Sequence, residues 1–155
     1  MKPEKDFYQI SLKLIMKNNK GQILGLKGVK GGRYENYYDL PGGRIDTNEF
    51  LMPFAKIIAR EVKEEIGNVK YKLNLKPVAL GRHLSSSTKV IINNKKRIVR
   101  VFYLCFEAKY LAGKIKISFE HEGFAWLNLN KVNLKKYFKS ANLDALKMYF
   151  TENNF

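Results

Sequence analysis

With 155 residues, of which 45% are hydrophobic and 28% charged, the chain can bury a sizeable core in one domain spanning 1–155, and disorder is excluded. No apolar run approaches the roughly 18 residues a membrane span needs, and Met1 to Asp6 lead into an alternating segment instead of a signal-peptide core, so a cytoplasmic protein with no membrane partner is expected. The net charge of +15 admits binding to polyanions such as RNA. Its lysines are scattered, however, among many Asn, Ile, Tyr and Phe, as an AT-rich genome also produces, and net charge informs on association and not on fold.

In chain order, Tyr8, Ile10, Leu12, Leu14 and Met16 alternate with mostly polar neighbours, the period of a half-buried strand. Asn18-Asn19-Lys20-Gly21 turns the chain into a second strand from Gln22 to Leu26. A glycine-rich loop through Gly28, Gly31 and Gly32 precedes a short strand, Tyr37 to Leu40, which ends at Pro41-Gly42-Gly43. A helix is expected from about Pro53 to Ile66, since proline suits the first helical position and Gly67 suits the left-handed residue that ends a helix. Strands follow over Leu73–Leu84, Lys89–Ile92, Arg97–Ala108 and Phe124–Leu127, with Asn93-Asn94-Lys95-Lys96-Arg97 at a hairpin tip. Cys105 lies in an alternating run and reads as a buried, inert thiol. A last helix, Asn142 to Phe150, puts Leu143, Leu146 and Phe150 on one face. The order is that of an α/β chain of the α+β type, a mixed sheet with helices on both sides.

The chemistry concentrates in Ala59-Arg60-Glu61-Val62-Lys63-Glu64-Glu65-Ile66-Gly67. At about 100° per residue, Glu61, Glu64 and Glu65 share an arc of about 100°. Clustered carboxylates repel one another and are stabilised by a cation that accepts oxygen ligands, for which Mg²⁺ or Mn²⁺ fits best. Arg60 can pair with Glu64 one turn on, while Ile57, Ile58 and Val62 face the core. The same pattern also suits a solvated acidic helix with an ordinary salt bridge. Upstream, Asp39-Leu40-Pro41-Gly42-Gly43-Arg44-Ile45-Asp46 supplies paired glycines, which allow a sharp turn and bring backbone groups close to an ion.

Together, Leu40-Pro41-Gly42-Gly43 and Arg60-Glu61-Val62-Lys63-Glu64-Glu65-Ile66-Gly67 resemble the signature box of the Nudix hydrolases, with Gly43, Glu49, Arg60, Glu61, Val62, Glu64, Glu65 and Gly67 matching by type. Two departures stand out. Ten residues separate Glu49 from Arg60, three more than in the family pattern, and Asn68 replaces an aliphatic residue. The longer loop leaves two readings of Glu49, a supporting role reached by another path or a solvated side chain. A second resemblance lies in Ser118 to Leu127, where many family members carry acids just before an aromatic strand with a tryptophan.

The resemblance implies a mixed sheet between helices and attack of a metal-activated water on phosphorus. It implies Glu61 and Glu65 as the main metal ligands, Glu64 as ligand or base, Arg60 as the residue that orients a glutamate, and the Gly42 carbonyl as a further ligand. Glu120 or Glu122 is the implied additional ligand or general base, against an exposed acidic loop. Arg44, Arg33 or nearby lysines clamp phosphates on this reading, or are simply solvated. His83 and His121 lack ligand spacing and read as structural or solvent-exposed, and Trp126 as core. The expected partner is a nucleotide-type small molecule, with a homodimer admitted. Nothing in the sequence selects among ADP-ribose, nucleotide sugars, nucleoside triphosphates, dinucleoside polyphosphates and RNA 5′ ends. A non-catalytic nucleotide- or RNA-binding module is the alternative.

Overall fold

The first strand, β1 (Tyr8–Lys17), is buried continuously from Ser11 to Met16, which places it at the centre of the sheet with both faces covered. The computed structural model describes residues 1–152, and the side chains of these except residues 86–88 and 152. β2 (Ile23–Gly28) returns antiparallel to β1, and β3 (Tyr38–Asp39) pairs with β2. β4 (Gly42–Arg44) pairs antiparallel with β1, and α1 (Phe54–Ile66) follows. Then come two long strands, β5 (Lys70–Ile92) and β6 (Lys95–Ala112), then β7 (His121–Leu127), α2 (Leu134–Tyr137) and α3 (Ser140–Glu152). The sheet runs β3-β2-β1-β6-β5, with β4 added to β1 and β7 to β2. β1 and β6 are parallel, from Tyr8 opposite Arg100 to Lys17 opposite Lys109, and the other pairings are antiparallel.

Alternation along β1 divides the core in two. Leu12, Leu14 and Met16 pack with Leu24, Leu26 and Phe106 against Ile57, Ile58, Val62 and Ile66 of α1. Ile15, Val101, Tyr103 and Cys105 lie in the other cluster, with Phe138, which follows α2, and Ala141, Ala145 and Leu146 of α3. The expected mixed sheet between helices is therefore present. Cys105 is buried and its thiol is pushed up to about 12, chiefly by that burial.

Several boundaries differ from those read in the sequence. Pro53 caps α1 in an extended conformation instead of opening it. β5 continues across the break expected after Leu84, absorbing it as a register shift between Ser85 and Lys89. The turn at its end is made by Asn93 and Asn94, both in the left-handed region (φ 51° and 58°), as a tight hairpin requires. α2 and β4 are too short to leave a periodic signal. β7 begins at His121, so His121 and Glu122 belong to a strand. Trp126 packs against the α1-side cluster beside Tyr110.

Candidate active site

Two adjacent glycines set the site. Gly42 adopts φ +120°, and a Cβ there would fall on the Leu12 carbonyl of β1. Its N–H donates to Glu65 Oε2 at 2.7 Å. Gly43 faces the helix, and a Cβ on it would lie 2.5 Å from the carboxylate carbon and both oxygens of Glu61. Absence of side chains at these positions lets the carboxylate face of α1 rest directly on β4. Glu65 is 5% exposed, whereas the Glu64 side chain is largely in solvent.

Arg60 ties the acidic groups together. Its Nε and a terminal nitrogen bind both oxygens of Glu49 at 2.5 and 2.9 Å. The guanidinium also reaches Glu61 at 2.9 Å, Glu64 at 3.1 Å and Asp46 at 3.9 Å. Glu49 is only 3% exposed, so the longer loop still delivers it. The chain achieves this with a 3₁₀ turn, Thr47–Glu49, held by the Asp46 N–H on Glu49 Oε2 (2.8 Å), and by pushing Phe50 and Leu51 out into solvent. The Arg60 guanidinium holds the Glu49 carboxyl below the usual carboxylate range, helped by the Asp46 N–H. Burial pushes Glu61 up, Arg60 opposes this, and the charges of Glu65 and Glu64 add to it. One guanidinium thus faces four carboxylates, and Glu61 pays a desolvation penalty that a bound cation would relieve.

The segment after β6 is laced to the end of α1 by two backbone bonds, Lys116 N–H to Ile66 and Ser118 N–H to Glu65. This carries Glu120 and His121 to Glu65. Ligand-type atoms of Glu65, Glu120 and His121 all lie within 4.8 Å of one another, and His121 Nε2 is 3.3 Å from Glu65 Oε1. The His121 side chain is only 8% exposed, so of the two sequence readings the solvent-exposed one does not describe it. No spacing signal pointed to it, because its neighbour on the helix is 56 positions away. Glu122 is turned to the glycine-rich loop, accepting the Lys30 N–H at 2.8 Å and lying 3.7 Å from Lys27 Nζ.

A family profile described as the NUDIX domain matches residues 8–148. The chain belongs to the Nudix family. Solved structures with this fold include a MutT protein from Methanosarcina mazei (22% identity, TM-score 0.67, covering 99% of this chain and 100% of that one). An ADP-ribose pyrophosphatase from Streptococcus suis is similar at 14% identity and TM-score 0.61, over 96% and 94% of the chains. The dihydroneopterin triphosphate pyrophosphohydrolase of E. coli is similar at 14% identity and TM-score 0.62, over 97% and 100%. Comparison with curated proteins gave no match.

Two cavities flank the Nudix box. The larger, about 1170 Å³, lies beneath the loop from Arg44 to Phe50, and neither Glu61 nor Glu65 lines it. The smaller, about 220 Å³, opens beside Gly43 on the α3 side of the sheet and is lined by both candidate phosphate clamps, Arg33 and Arg44. Arg44 and Arg33 make no ion pair among the described residues. At the cavity floor Lys13 binds both oxygens of Asp39 at 3.1 Å, the Leu40 carbonyl at 3.0 Å and the Gly42 carbonyl at 2.8 Å. The Gly42 oxygen expected to face a metal therefore accepts an ammonium. Sequence periodicity placed Lys13 on the strand without revealing this role, since its partners are backbone carbonyls and an aspartate on another strand.

Proposed function

We propose that this Nudix enzyme is a pyrophosphohydrolase that opens a phosphoric anhydride in a nucleoside diphosphate linked to another group, with Mg²⁺ or Mn²⁺ bound at the carboxylate face. The observation that carries the reading is the half-buried Glu61 and buried Glu65 resting on Gly42-Gly43, with more carboxylates than the single Arg60 can neutralise. The donor set is dominated by carboxylate oxygens, which suits a hard divalent ion, and His121 adds a nitrogen that Mn²⁺ accepts more readily than Mg²⁺. A bound ion supplies charge neutralisation of the diphosphate and acidification of water. The names carried by the similar structures, an ADP-ribose pyrophosphatase and a dihydroneopterin triphosphate pyrophosphohydrolase, support a diphosphate linkage as the bond cleaved.

On this reading Glu61 and Glu65 hold the ion, with Glu120 and His121 completing the donor set beside Glu65. Gly42 contributes through its N–H, which fixes the Glu65 carboxylate. Arg60, anchored by Glu49, orients Glu61 and Glu64. Glu64 or Glu120 accepts the proton of the attacking water as its oxygen bonds to phosphorus, and the bridging oxygen departs with the second phosphoryl group. Arg44 and Arg33 bind the phosphates at the cavity mouth. Glu122 serves the site by anchoring the glycine-rich loop. The test is a screen of nucleoside diphosphate derivatives with Mg²⁺ or Mn²⁺, scored by released nucleoside monophosphate or orthophosphate. No turnover, together with tight, strongly salt-dependent RNA binding, would replace this reading by a binding module on the same fold.

A further inference from the structure

Lys13 sits in the middle of the central strand, and its side chain is only 5% exposed. A buried ion pair seldom stabilises a fold more than well-packed apolar residues of the same size, so stability alone does not call for a lysine here. Its contacts point to the Nudix box instead. Nζ meets four oxygens, both of Asp39 at 3.1 Å, the Leu40 carbonyl at 3.0 Å and the Gly42 carbonyl at 2.8 Å. An ammonium has three donors, and sharing one between the two Asp39 oxygens spends them all. Lys13 therefore has no proton left for a substrate phosphate. Burial would lower its pKa, but the charges of Asp39 and Glu65 outweigh this and hold it above its ordinary value, so the group stays a cation.

The Pro41 carbonyl, between the two that Lys13 holds, accepts the Leu14 N–H at 2.8 Å. Adjacent residues of β1 thus take the carbonyls of Leu40, Pro41 and Gly42 in succession. This grip fixes the Pro41-Gly42 peptide, whose N–H end donates to Glu65 Oε2 at 2.7 Å. With Oε2 engaged, Oε1 of Glu65 stands 3.3 Å from His121 Nε2. Gly42 needs to be held, because a glycine at φ +120° has many other conformations open to it.

We propose that Lys13 is a positioning residue of the site: its ammonium is a resident cation that withdraws the Gly42 carbonyl from the metal's ligand set and, by pinning the Pro41-Gly42 peptide, aims Glu65. The assignment rests on the hydrolase reading in taking Glu65 as a metal ligand. Its consequence is that the ion is held by side chains alone.

The experiment follows metal binding and the Gly42 amide without substrate, which separates it from turnover. Pro41-Gly42 is the only Pro-Gly step in the chain, so carbonyl-¹³C proline with ¹⁵N glycine isolates the Gly42 amide as one correlation. In Lys13→Ala this resonance should move upfield as its hydrogen bond to Glu65 weakens. Mn²⁺ affinity, followed by electron paramagnetic resonance, should fall about tenfold, as for other residues that support a metal ligand. Lys13 lines the small cavity, so n-propylammonium can refill the gap and should restore both readings, whereas n-propanol should not. If Lys13→Ala fails to fold, Lys13→Ala/Asp39→Asn removes both charges together and carries the same two readings. A folded variant with the wild-type Gly42 resonance and Mn²⁺ affinity overturns the proposal. So does one that binds Mn²⁺ more tightly, since the freed carbonyl then outweighs the lost support, and so does equal rescue by n-propanol, which would make Lys13 a filler of space. Failure of the hydrolase reading would show instead as absent turnover with these binding results intact.

Discussion

Replacing each of the two site glycines by alanine should produce opposite failures. At Gly43 the added methyl would lie 2.5 Å from the Glu61 carboxylate, where ordinary contact begins near 3.4 Å. No backbone atom is among the three nearest groups, and Gly43 is outside the positive-φ region, so the strain is relieved by Glu61 moving about 1 Å. That movement disturbs its 2.9 Å pairing with Arg60 and displaces a ligand. Misplacement by about 1 Å costs about a hundredfold in rate, equivalent to about 2.7 kcal/mol of transition-state stabilisation. Stability should change little, because alanine also restricts the unfolded chain. At Gly42 the methyl falls on the Leu12 carbonyl at a φ of +120°. There the backbone of β4 must leave β1, and the variant should unfold at lower temperature or fail to fold. Steady-state kinetics, Mn²⁺ binding followed by electron paramagnetic resonance, and thermal melts separate the two outcomes. A Gly43→Ala protein with wild-type Mn²⁺ affinity and turnover would refute the placement of Glu61 as a ligand.

Further outcomes are expected. Glu65→Gln should reduce turnover by orders of magnitude with an ordinary melt, and Glu120→Gln should raise the Mg²⁺ concentration needed for half-maximal rate. Glu122→Gln, acting through the Lys27 and Lys30 contacts, should leave that concentration unchanged; equal metal titrations for both loop variants would contradict the geometry. Lys13→Met should cost about 3 to 5 kcal/mol in denaturant unfolding, because it leaves the buried Asp39 carboxylate with the Asn142 amide (2.9 Å) but without its ammonium partner. A loss under about 1 kcal/mol would show that Asp39 finds other partners. His83 should make the fold acid-sensitive: its value falls from an ordinary 6.5 to about 4, so between those values the unfolded chain binds a proton that the folded chain refuses. The stability contribution is complete above pH 6.5 and lost as pH falls toward 4, so wild type should lose stability faster than His83→Asn across that window. Parallel stability curves would count against it.

The elements that carry long periodic signals were legible in the sequence. β1 announces itself by alternation, and α1 by the helical spacing of Ile57, Ile58, Val62 and Ile66, which are buried together with Glu65. β4 was not, because three residues hold no period and its identity as a strand depends on pairing with β1. The box residues carried the family resemblance, but not how they are connected. Glu49 was ambiguous by spacing, and only the 3₁₀ turn that ejects Phe50 and Leu51 shows how the distance to Arg60 is closed. His121 and Lys13 were hidden for a related reason. Their partners are remote in the chain, and one histidine or lysine on a strand looks the same whether it points to solvent or to a carboxylate.

The parallel pairing of β1 with β6 has a consequence for how the chain is made. Residues 8–17 are synthesised early and 100–109 late, so during translation one edge of a strongly apolar central strand has no mate. An unpaired apolar edge is a template for association with other chains, and closing a contact of such long range is slow compared with forming α1. Until β6 is made, β1, on which β4 and its glycines depend, is open on one side. A net charge of +15 disfavours association between chains of this kind.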